Sequence, residues 1–226
     1  MKNIPMLGRV VLLASFALMF APFARAAEGW RELFNGKDLT GWRANAYPDS
    51  WSVVDGTIRA HATKESSHLF FVGDGKNDKN DFVRFKNFEL EFTTRGEPNA
   101  NSGVFIHTDL AAGGAALRLS NGYEIQLNST EKEKRKTGSL YDVVDLATSP
   151  VDETKWFAVR ITVKDRRITI QVGGKTTVDY TEPDNVQRAP ARKGRRLNPL
   201  GGAIALQAHD PKSVFYFKSV RIRELN

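Results

Sequence analysis

Apolar and polar residues alternate with a period of two along most of the chain, and no stretch of comparable length keeps the 3.6-residue period of a helix. In residues 88–93 the apolar side chains occupy one face and the polar side chains the other. Residues 157–180 contain three such segments, separated by Asp165-Arg166 and Gly173-Gly174, and this spacing predicts a three-strand antiparallel meander. Further strands are predicted at residues 51–54, 57–61, 69–72, 104–108, 123–128, 203–209 and 214–225.

Many short strands without an internal repeat predict an all-β fold, a two-layer antiparallel β-sandwich of the concanavalin A-like or LamG-like jelly-roll type. The chain of 226 residues is 41% hydrophobic, which is enough to fill one core. No linker divides residues 27–226, so we interpret them as a single domain. Cysteine is absent, which excludes disulfide bonds, thiolate nucleophiles and cysteine-ligated metal sites.

Residues 1–26 have the composition of a signal peptide. Lys2 and Arg9 flank an apolar run at residues 10–20 that is too short to span a bilayer, and Ala24-Arg25-Ala26 matches a small-x-small cleavage site. We therefore predict export to the periplasm or the cell exterior, with cleavage after Ala26; an uncleaved membrane anchor is the alternative. Cleavage would remove three basic residues and no acid, which lowers the net charge from +7 to +4.

Much of the remaining positive charge lies in two polar segments, the first basic loop (residues 129–138) and the second basic loop (residues 181–199). A groove for phosphate or an acidic polymer is one interpretation, because clustered Lys and Arg release counterions from a polyanion. We favour solvated loops and expect no nucleic-acid partner, because neither loop has interleaved aromatic residues that stack on bases. The basic residues are Lys132, Lys134, Arg135, Lys136, Arg188, Arg192, Lys193, Arg195 and Arg196.

In a strand, residues at alternate positions share a face, so position parity determines the face. Along three of the predicted strands, this rule places polar side chains on the face opposite the large apolar ones. If these strands are neighbours in one sheet, that face presents carboxylate, amide and imidazole groups beside small residues that leave room for a ligand. Such groups pair with hydroxyls, and Phe105 or Tyr141 could stack on a sugar ring, so we expect a carbohydrate-type surface. The residues of this expected face are Phe105, His107, Glu124, Gln126, Asn128, Gln207 and His209.

The segment LFNGKDLTGW at residues 33–42 resembles the opening signature of the 3-keto-disaccharide hydrolase domain, a concanavalin-like jelly roll of exported bacterial proteins. The resemblance implies that fold, and cleavage by hydrolysis or elimination of glycosides already oxidised at carbon 3. Shorter matches follow in order: WSVVDGTI at 51–58, NSGV at 101–104, GYEIQ at 122–126, TGSLY at 137–141, ALQAH at 205–209 and FKSVRIREL at 217–225.

The implied chemistry needs a base near carbon 2, hydrogen-bond donors near the carbon 3 oxygen and an acid for the leaving group. His209 is the expected base or its relay, because imidazole side chains titrate near neutral pH. Glu124 is the rival, either as the base or as the group that orients the imidazole. Gln126 and Gln207 would hold substrate hydroxyls, and Asn101 would hold a hydroxyl or the enolate oxygen.

Two positions of the expected face depart from the family pattern. His107 stands where the family often has Arg, and Asn128 stands where it tends to have Asp. The chemistry requires no cofactor, although His107, Glu124 and His209 could bind a divalent metal that polarises the carbonyl. The expected partner is a small 3-keto-disaccharide or glycoside, and the sequence carries no signal for an oligomeric state.

Two other classes of function fit the same sequence. A non-catalytic carbohydrate-binding module would use the same sandwich and the same polar face, because a fold does not fix a function. Such a module needs no titrating base, so replacing Glu124 or His209 would only weaken binding. A structural envelope-associated sandwich would instead depend on the basic residues 192–196. We favour the enzyme.

Overall fold

The computed structural model describes residues 29–73, 82–109, 119 and 121–226. Within these residues the chain forms two antiparallel sheets, and the only helices are the single 3-10 turns Pro48–Ser50 and Pro190–Arg192. None of the described helical segments has the length or apolar character to cross a membrane. Residues 1–26, where the signal peptide is predicted, lie outside the described residues, and export stays a prediction.

Thirteen strands make up the two sheets in the described part of the chain. They are β1 (Arg31–Glu32), β2 (Trp42–Ala44), β3 (Trp51–Val54), β4 (Thr57–His61), β5 (Ser67–Phe71), β6 (Phe88–Gly96), β7 (Asn101–Thr108), β8 (Tyr123–Asn128), β9 (Phe157–Lys164), β10 (Arg167–Val172), β11 (Lys175–Thr181), β12 (Ala203–Ala208) and β13 (Val214–Glu224). The larger sheet has the order β11-β10-β9-β6-β13-β4-β3, with β1 paired to β13, and the smaller sheet has the order β2-β5-β12-β7-β8. The predicted all-β sandwich is confirmed.

The inner faces of the two sheets enclose the hydrophobic core. In β6 the buried residues Phe88, Leu90 and Phe92 alternate with half-buried polar residues, because one face meets the core and the other faces outward. Strands β7, β8 and β12 are instead buried at every position. The smaller sheet therefore has cover on both faces along these strands, and its polar side chains are buried as well.

The family-like segment at residues 33–42 folds into a closed turn. The Oδ1 atom of Asn35 accepts hydrogen bonds from the backbone N–H groups of Lys37 and Asp38, while the indole N–H of Trp42 donates to the carbonyl of Leu33 at 2.7 Å. Hydrogen bonds from Thr40 and Asn35 lower the pKa of Asp38 to about 2. These contacts give the segment a structural role, because each distinctive side chain is engaged within the turn itself.

The three strands expected to share a polar face are neighbours in the smaller sheet, with β7 between β8 and β12. Phe105 lies opposite Glu124 on β8 and opposite Ala205 on β12, while Gly103 lies opposite Gln126. Strands β8, β7 and β12 are therefore neighbours, as the expected polar face requires, and their outward-facing side chains form one surface.

His107 is the exception to this parity, and its expected place on the ligand face is wrong. Between β7 and β12, two residues of β7 stand opposite one of β12, so the strand bulges, and His107 has a φ of 52°. Its ring stacks on Phe88 with the centroids 6.0 Å apart. The Nε2–H group donates to the carbonyl of Lys86 at 2.9 Å, and Nδ1 accepts the N–H of Asn198 at 3.1 Å. Burial lowers the pKa of this imidazole.

We predict that Gly202→Ala destabilises the fold, because a Cβ at this position would lie 2.4 Å from the carbonyl carbon of His107. Backbone on the strained bulge cannot move aside, so we expect a loss of about 1–3 kcal/mol in the free energy of unfolding. Urea denaturation measures this loss. Gly174→Ala is the control, because its φ is 79° but nothing lies within 4 Å of the added Cβ. An equal or smaller loss at Gly202 would contradict the prediction.

Candidate functional site

A cavity of about 560 Å³ lies over the outer face of the smaller sheet. Strands β7, β8 and β12 form its floor, and the two basic loops and residues 65–66 contribute its walls. Phe105 and Leu119 supply apolar surface. The polar lining residues are Glu65, Ser66, Asn101, Glu124, Gln126, Glu133, Tyr141, Arg192, Arg195, Gln207 and His209.

Seven of the nine site residues expected from the sequence line this cavity, and their roles stay predictions. His107 is excluded by the bulge described above. Asn128 has the expected parity, but its amide folds the first basic loop: Nδ2 donates to the carbonyls of Glu133 and Arg135, and Oδ1 accepts from Thr130. Asn128 has no exposed surface, so its expected place among the ligand-binding residues is also wrong.

Glu124 lies at the floor of the cavity, with its side chain 9% exposed. Arg195, whose side chain is 4% exposed, donates from Nη2 to the Oε2 atom of Glu124 at 3.0 Å. Burial raises the pKa of the Glu124 carboxyl, although the positive charges of Arg195, His209 and Arg192 oppose that shift. On the neighbouring strand, a Cβ at Gly103 would lie 3.0 Å from Oε1, so glycine there leaves room for the carboxyl.

His209 follows β12 at the rim of the cavity, with 41% of its side chain exposed. Its Nδ1 atom lies 2.7 Å from Oδ2 of Asp210, which also accepts from Ser213. Burial alone would raise the pKa of Asp210, but the hydrogen bonds from His209, Lys212 and Ser213 hold it below its usual value. An ionised carboxylate only accepts, so Nδ1 carries a proton, and in the neutral imidazole the lone pair is on Nε2. Asp210, rather than Glu124, is the carboxylate that orients this imidazole.

The residues considered for a divalent metal are not brought together. His107 is held by Lys86 and Asn198, away from Glu124 and His209. Among the described residues, no group of three or more His, Asp or Glu side chains has a metal-binding arrangement. The three-residue metal site considered from the sequence is therefore wrong, whereas the expectation that the activity needs no cofactor stays a prediction.

Two glutamines at the floor have buried oxygen atoms that lack a donor. Gln126 donates from Nε2 to Oδ1 of Asn101 at 3.2 Å, and the Nε2 atoms of Gln207 and His68 are 3.4 Å apart. Within the described part of the chain, neither glutamine Oε1 has a hydrogen-bond partner. Unpartnered buried acceptors are costly, so the floor favours a ligand that brings hydroxyl donors.

The two aromatic residues expected to stack on a sugar contact protein groups instead. Phe105 is 2% exposed, with the guanidinium of Arg195 at 5.4 Å and the ring of His68 at 5.0 Å from its centroid. Tyr141 is half-buried, with the guanidinium groups of Arg135 and Arg192 at 4.6 and 5.5 Å from its centroid. Phe105 therefore supports Arg195 and leaves little surface for a sugar ring, while Tyr141 contributes to the wall.

The expectation of solvated basic loops is wrong for several of their arginines. Asp142 joins the two loops by accepting from Arg135 at 2.5 Å and from Arg192 at 2.7 Å. Arg188 donates to the hydroxyl groups of Tyr123 and Tyr180 at 3.1 and 2.8 Å. These charges are engaged in ion pairs and hydrogen bonds, because acids and hydroxyls from distant parts of the chain lie within reach.

Several lining or supporting residues were not identified from the sequence. Asp210 directly follows His209 in the sequence, and that adjacency is the signal that could have identified it as a supporting residue. For Arg192 and Arg195 the sequence favours solvated loops, and a loop has no period-two pattern that separates buried from exposed side chains. Glu65, Ser66, Glu133 and His68 gave no pattern that separates them from ordinary surface or core residues.

A β-sandwich whose cavity combines amides, a buried carboxylate and an oriented imidazole can bind a ligand rich in hydroxyl groups. Residues 29–223 match the family model of the 3-keto-alpha-glucoside-1,2-lyase-like domain. The chain belongs to this family, which confirms the resemblance noted in the sequence. A 3-keto-disaccharide hydrolase of Bacteroides thetaiotaomicron is 33% identical over 85 residues, a match that spans 35% of this chain and 27% of that protein.

Solved structures share the fold at low sequence identity. A candidate glycosyl hydrolase from Parabacteroides distasonis has a TM-score of 0.70 at 23% identity, covering 88% of this chain and 95% of its own. The carbohydrate-binding module CBM66 from Bacillus subtilis has a TM-score of 0.55 at 14% identity, covering 82% and 97%. The VIP36 exoplasmic/lumenal domain, in a Ca²⁺/Man3GlcNAc-bound form, has a TM-score of 0.55 at 12% identity, covering 82% and 84%. These likenesses confirm the jelly-roll class.

We predict that His68 makes the fold sensitive to acid. Burial, together with the charges of His209 and Arg195, lowers the pKa of His68 to about 3, against about 6.5 for an unfolded histidine. The unfolded chain therefore binds a proton between these pH values that the folded chain does not bind. Stability should fall as the pH drops through this range, with a slope of up to about 1.4 kcal/mol per pH unit.

Urea denaturation from pH 7 to pH 4 measures this slope. His68→Gln should reduce the slope without abolishing it, because the pKa of His107 is also lowered. His61→Gln, on β4, is the matched control. A slope that is unchanged in His68→Gln would contradict the prediction, since His68 would then bind its proton in the folded chain.

Proposed function

We propose that the chain cleaves 3-keto-glycosides by proton removal at carbon 2, elimination of the glycosidic group and hydration. The observation that carries this proposal is the presence in one cavity of two proton-transfer groups, Glu124 and His209, each held by its own partner. Family membership and the name of the B. thetaiotaomicron relative support the choice of substrate. A reaction of this kind needs no carboxylate nucleophile.

His209 is the base in this proposal. Its Nε2 atom takes the proton from carbon 2, and the C–H electrons form a double bond to carbon 3 while the carbonyl electrons move to oxygen. The partner Asp210 accepts from Nδ1 and stabilises the imidazolium that forms. Carbon 2 is the site of attack because the adjacent ketone acidifies its proton.

Glu124 supplies the proton to the leaving group in the second step. The enediolate re-forms the ketone, carbon 1 and carbon 2 become double-bonded, and the bond from carbon 1 to the glycosidic oxygen breaks as that oxygen is protonated. Burial favours the protonated carboxyl, which suits a general acid, and the carboxylate left after proton transfer forms the ion pair with Arg195. Water then adds at carbon 1 and a proton returns to carbon 2, so the net reaction consumes one water.

The first test incubates the purified chain with a 3-keto-disaccharide and, separately, with its unoxidised parent, and follows release of the reducing sugar. We expect release from the 3-keto substrate only, because the parent lacks an acidic proton at carbon 2. Binding of both sugars without cleavage would contradict the proposal and favour the carbohydrate-binding module. A parallel sample with a chelator tests metal dependence, which loss of activity and its return with added Mn²⁺ would establish.

The second test separates the two proton-transfer roles by varying the leaving group. Glu124→Gln should slow cleavage of a 3-keto-disaccharide by about 100-fold or more, yet largely spare a 3-keto nitrophenyl glycoside, whose leaving group needs no acid. His209→Asn should slow both substrates to a similar degree. Glu97→Gln and His61→Asn, outside the cavity, are the matched controls. Equal loss on both substrates in Glu124→Gln would make Glu124 the base and contradict this assignment.

A further inference from the structure

Arg195 has an unusual position for a loop arginine. Its side chain is 4% exposed, lines the cavity and carries the guanidinium over the ring of Phe105 at 5.4 Å from the centroid. Within the described part of the chain, its Nη2 atom donates to Glu124 and its Nη1 atom has no hydrogen-bond partner. A buried guanidinium donor without an acceptor is costly, so the cavity is suited to a ligand that brings an acceptor oxygen.

The backbone of Arg195 is fixed before any ligand arrives. Its N–H donates to the carbonyl of Arg192 at 2.8 Å, and its carbonyl accepts from Nε of Arg188 at 3.0 Å. Two residues further along the chain, the N–H of Leu197 donates to Glu182 at 2.9 Å, and Glu182 also accepts from the buried hydroxyl of Tyr123. The loop is thus tied to β8 on both sides of the guanidinium, which is the preorganisation that charge stabilisation requires.

We propose that Arg195 is a catalytic residue that donates to the carbon 3 oxygen of the substrate and stabilises the enediolate; this inference rests on the proposed function. When His209 removes the carbon 2 proton, the carbonyl electrons move to the carbon 3 oxygen, and the guanidinium N–H groups face the charge that develops there. The oxygen loses that charge when the leaving group departs. Arginine remains protonated throughout, so no proton balance changes.

The Arg195 guanidinium then contacts both Glu124, which protonates the leaving group, and the carbon 3 oxygen. Its Nη2 atom holds Glu124, while the remaining N–H groups take the carbon 3 oxygen. A lysine would present a single ammonium group and lacks the planar fork. Asn101, the expected holder of the enolate oxygen, could donate only from an uncharged amide, so it is the weaker candidate for that role.

The test isolates proton removal from cleavage. The probe is a 3-keto sugar without a leaving group at carbon 1, 3-keto-1,5-anhydroglucitol, and the readout is exchange of the carbon 2 proton for deuterium in D₂O, followed by NMR. Cleavage cannot occur with this probe, so the leaving-group role of Glu124 does not enter. We expect exchange in the wild type and slower but measurable exchange in Glu124→Gln, because that variant changes the group that holds Arg195.

The decisive comparison is Glu124→Gln/Arg195→Gln against Glu124→Gln alone. The double variant is preferred to Arg195→Gln alone, which would leave Glu124 buried without its partner. We expect exchange about 100- to 1,000-fold slower in the double variant, the loss typical of a missing oxyanion donor. Arg196→Gln in the Glu124→Gln background is the matched control, because Arg196 is exposed and its Nε donates to the carbonyl of Lys193 in its own loop.

The outcomes separate the two proposals. Equal exchange rates in Glu124→Gln and the double variant would overturn the role of Arg195, because a residue that only holds Glu124 has no effect once Glu124 is replaced. A pH profile of exchange in both variants checks that the difference persists on the plateau, as it must for a charge-stabilising residue. If the wild type neither exchanges the probe nor cleaves a 3-keto-disaccharide, the proposed function itself fails.

Discussion

The site depends on one buried ion pair, between Glu124 on β8 and Arg195 in the second basic loop. Neither charge could be buried alone at this depth without a large desolvation cost, so each requires the other to be in place. The pair therefore ties the loop to the floor of the cavity. Through Asp142, which accepts from both Arg135 and Arg192, the same loop is joined to the first basic loop. The wall and the floor of the cavity are thus parts of one electrostatic network.

The strands and the direction of most side chains could be predicted from the sequence because both are set locally. The period of two along a strand fixes which residues share a face, and Glu124 and Gln126 stand together for that reason alone. His107 shows the limit of this argument. A single bulge, made possible by the close approach of Gly122 and Gly202 to its backbone, turns the side chain away from the expected face. A bulge depends on the neighbouring strand, which the local pattern does not specify.

The loops could not be predicted in the same way, since their conformation is set by partners far along the chain. Arg195 and its partner Glu124 are 71 positions apart in the sequence, and Arg188 and its partner Tyr123 are 65 positions apart. From the sequence alone these arginines are indistinguishable from exposed neighbours such as Lys193 and Arg196. Their function emerges only when the second basic loop lies against the smaller sheet, where a positive charge meets a buried acid rather than water.

The segment most specific for the family is distinct from the segments that build the site. Residues 33–42 close on themselves through Asn35, Asp38 and Trp42, and none of them lines the cavity. Six of the cavity residues lie in the shorter family-like segments, which identify the family only as an ordered set: Asn101, Glu124, Gln126, Tyr141, Gln207 and His209. This division has a physical basis: a closed turn needs particular side chains at every step, whereas a cavity floor needs only a few polar groups at alternate positions. A family signature of this kind therefore reports the scaffold, and the chemistry has to be argued from the side chains that face the cavity.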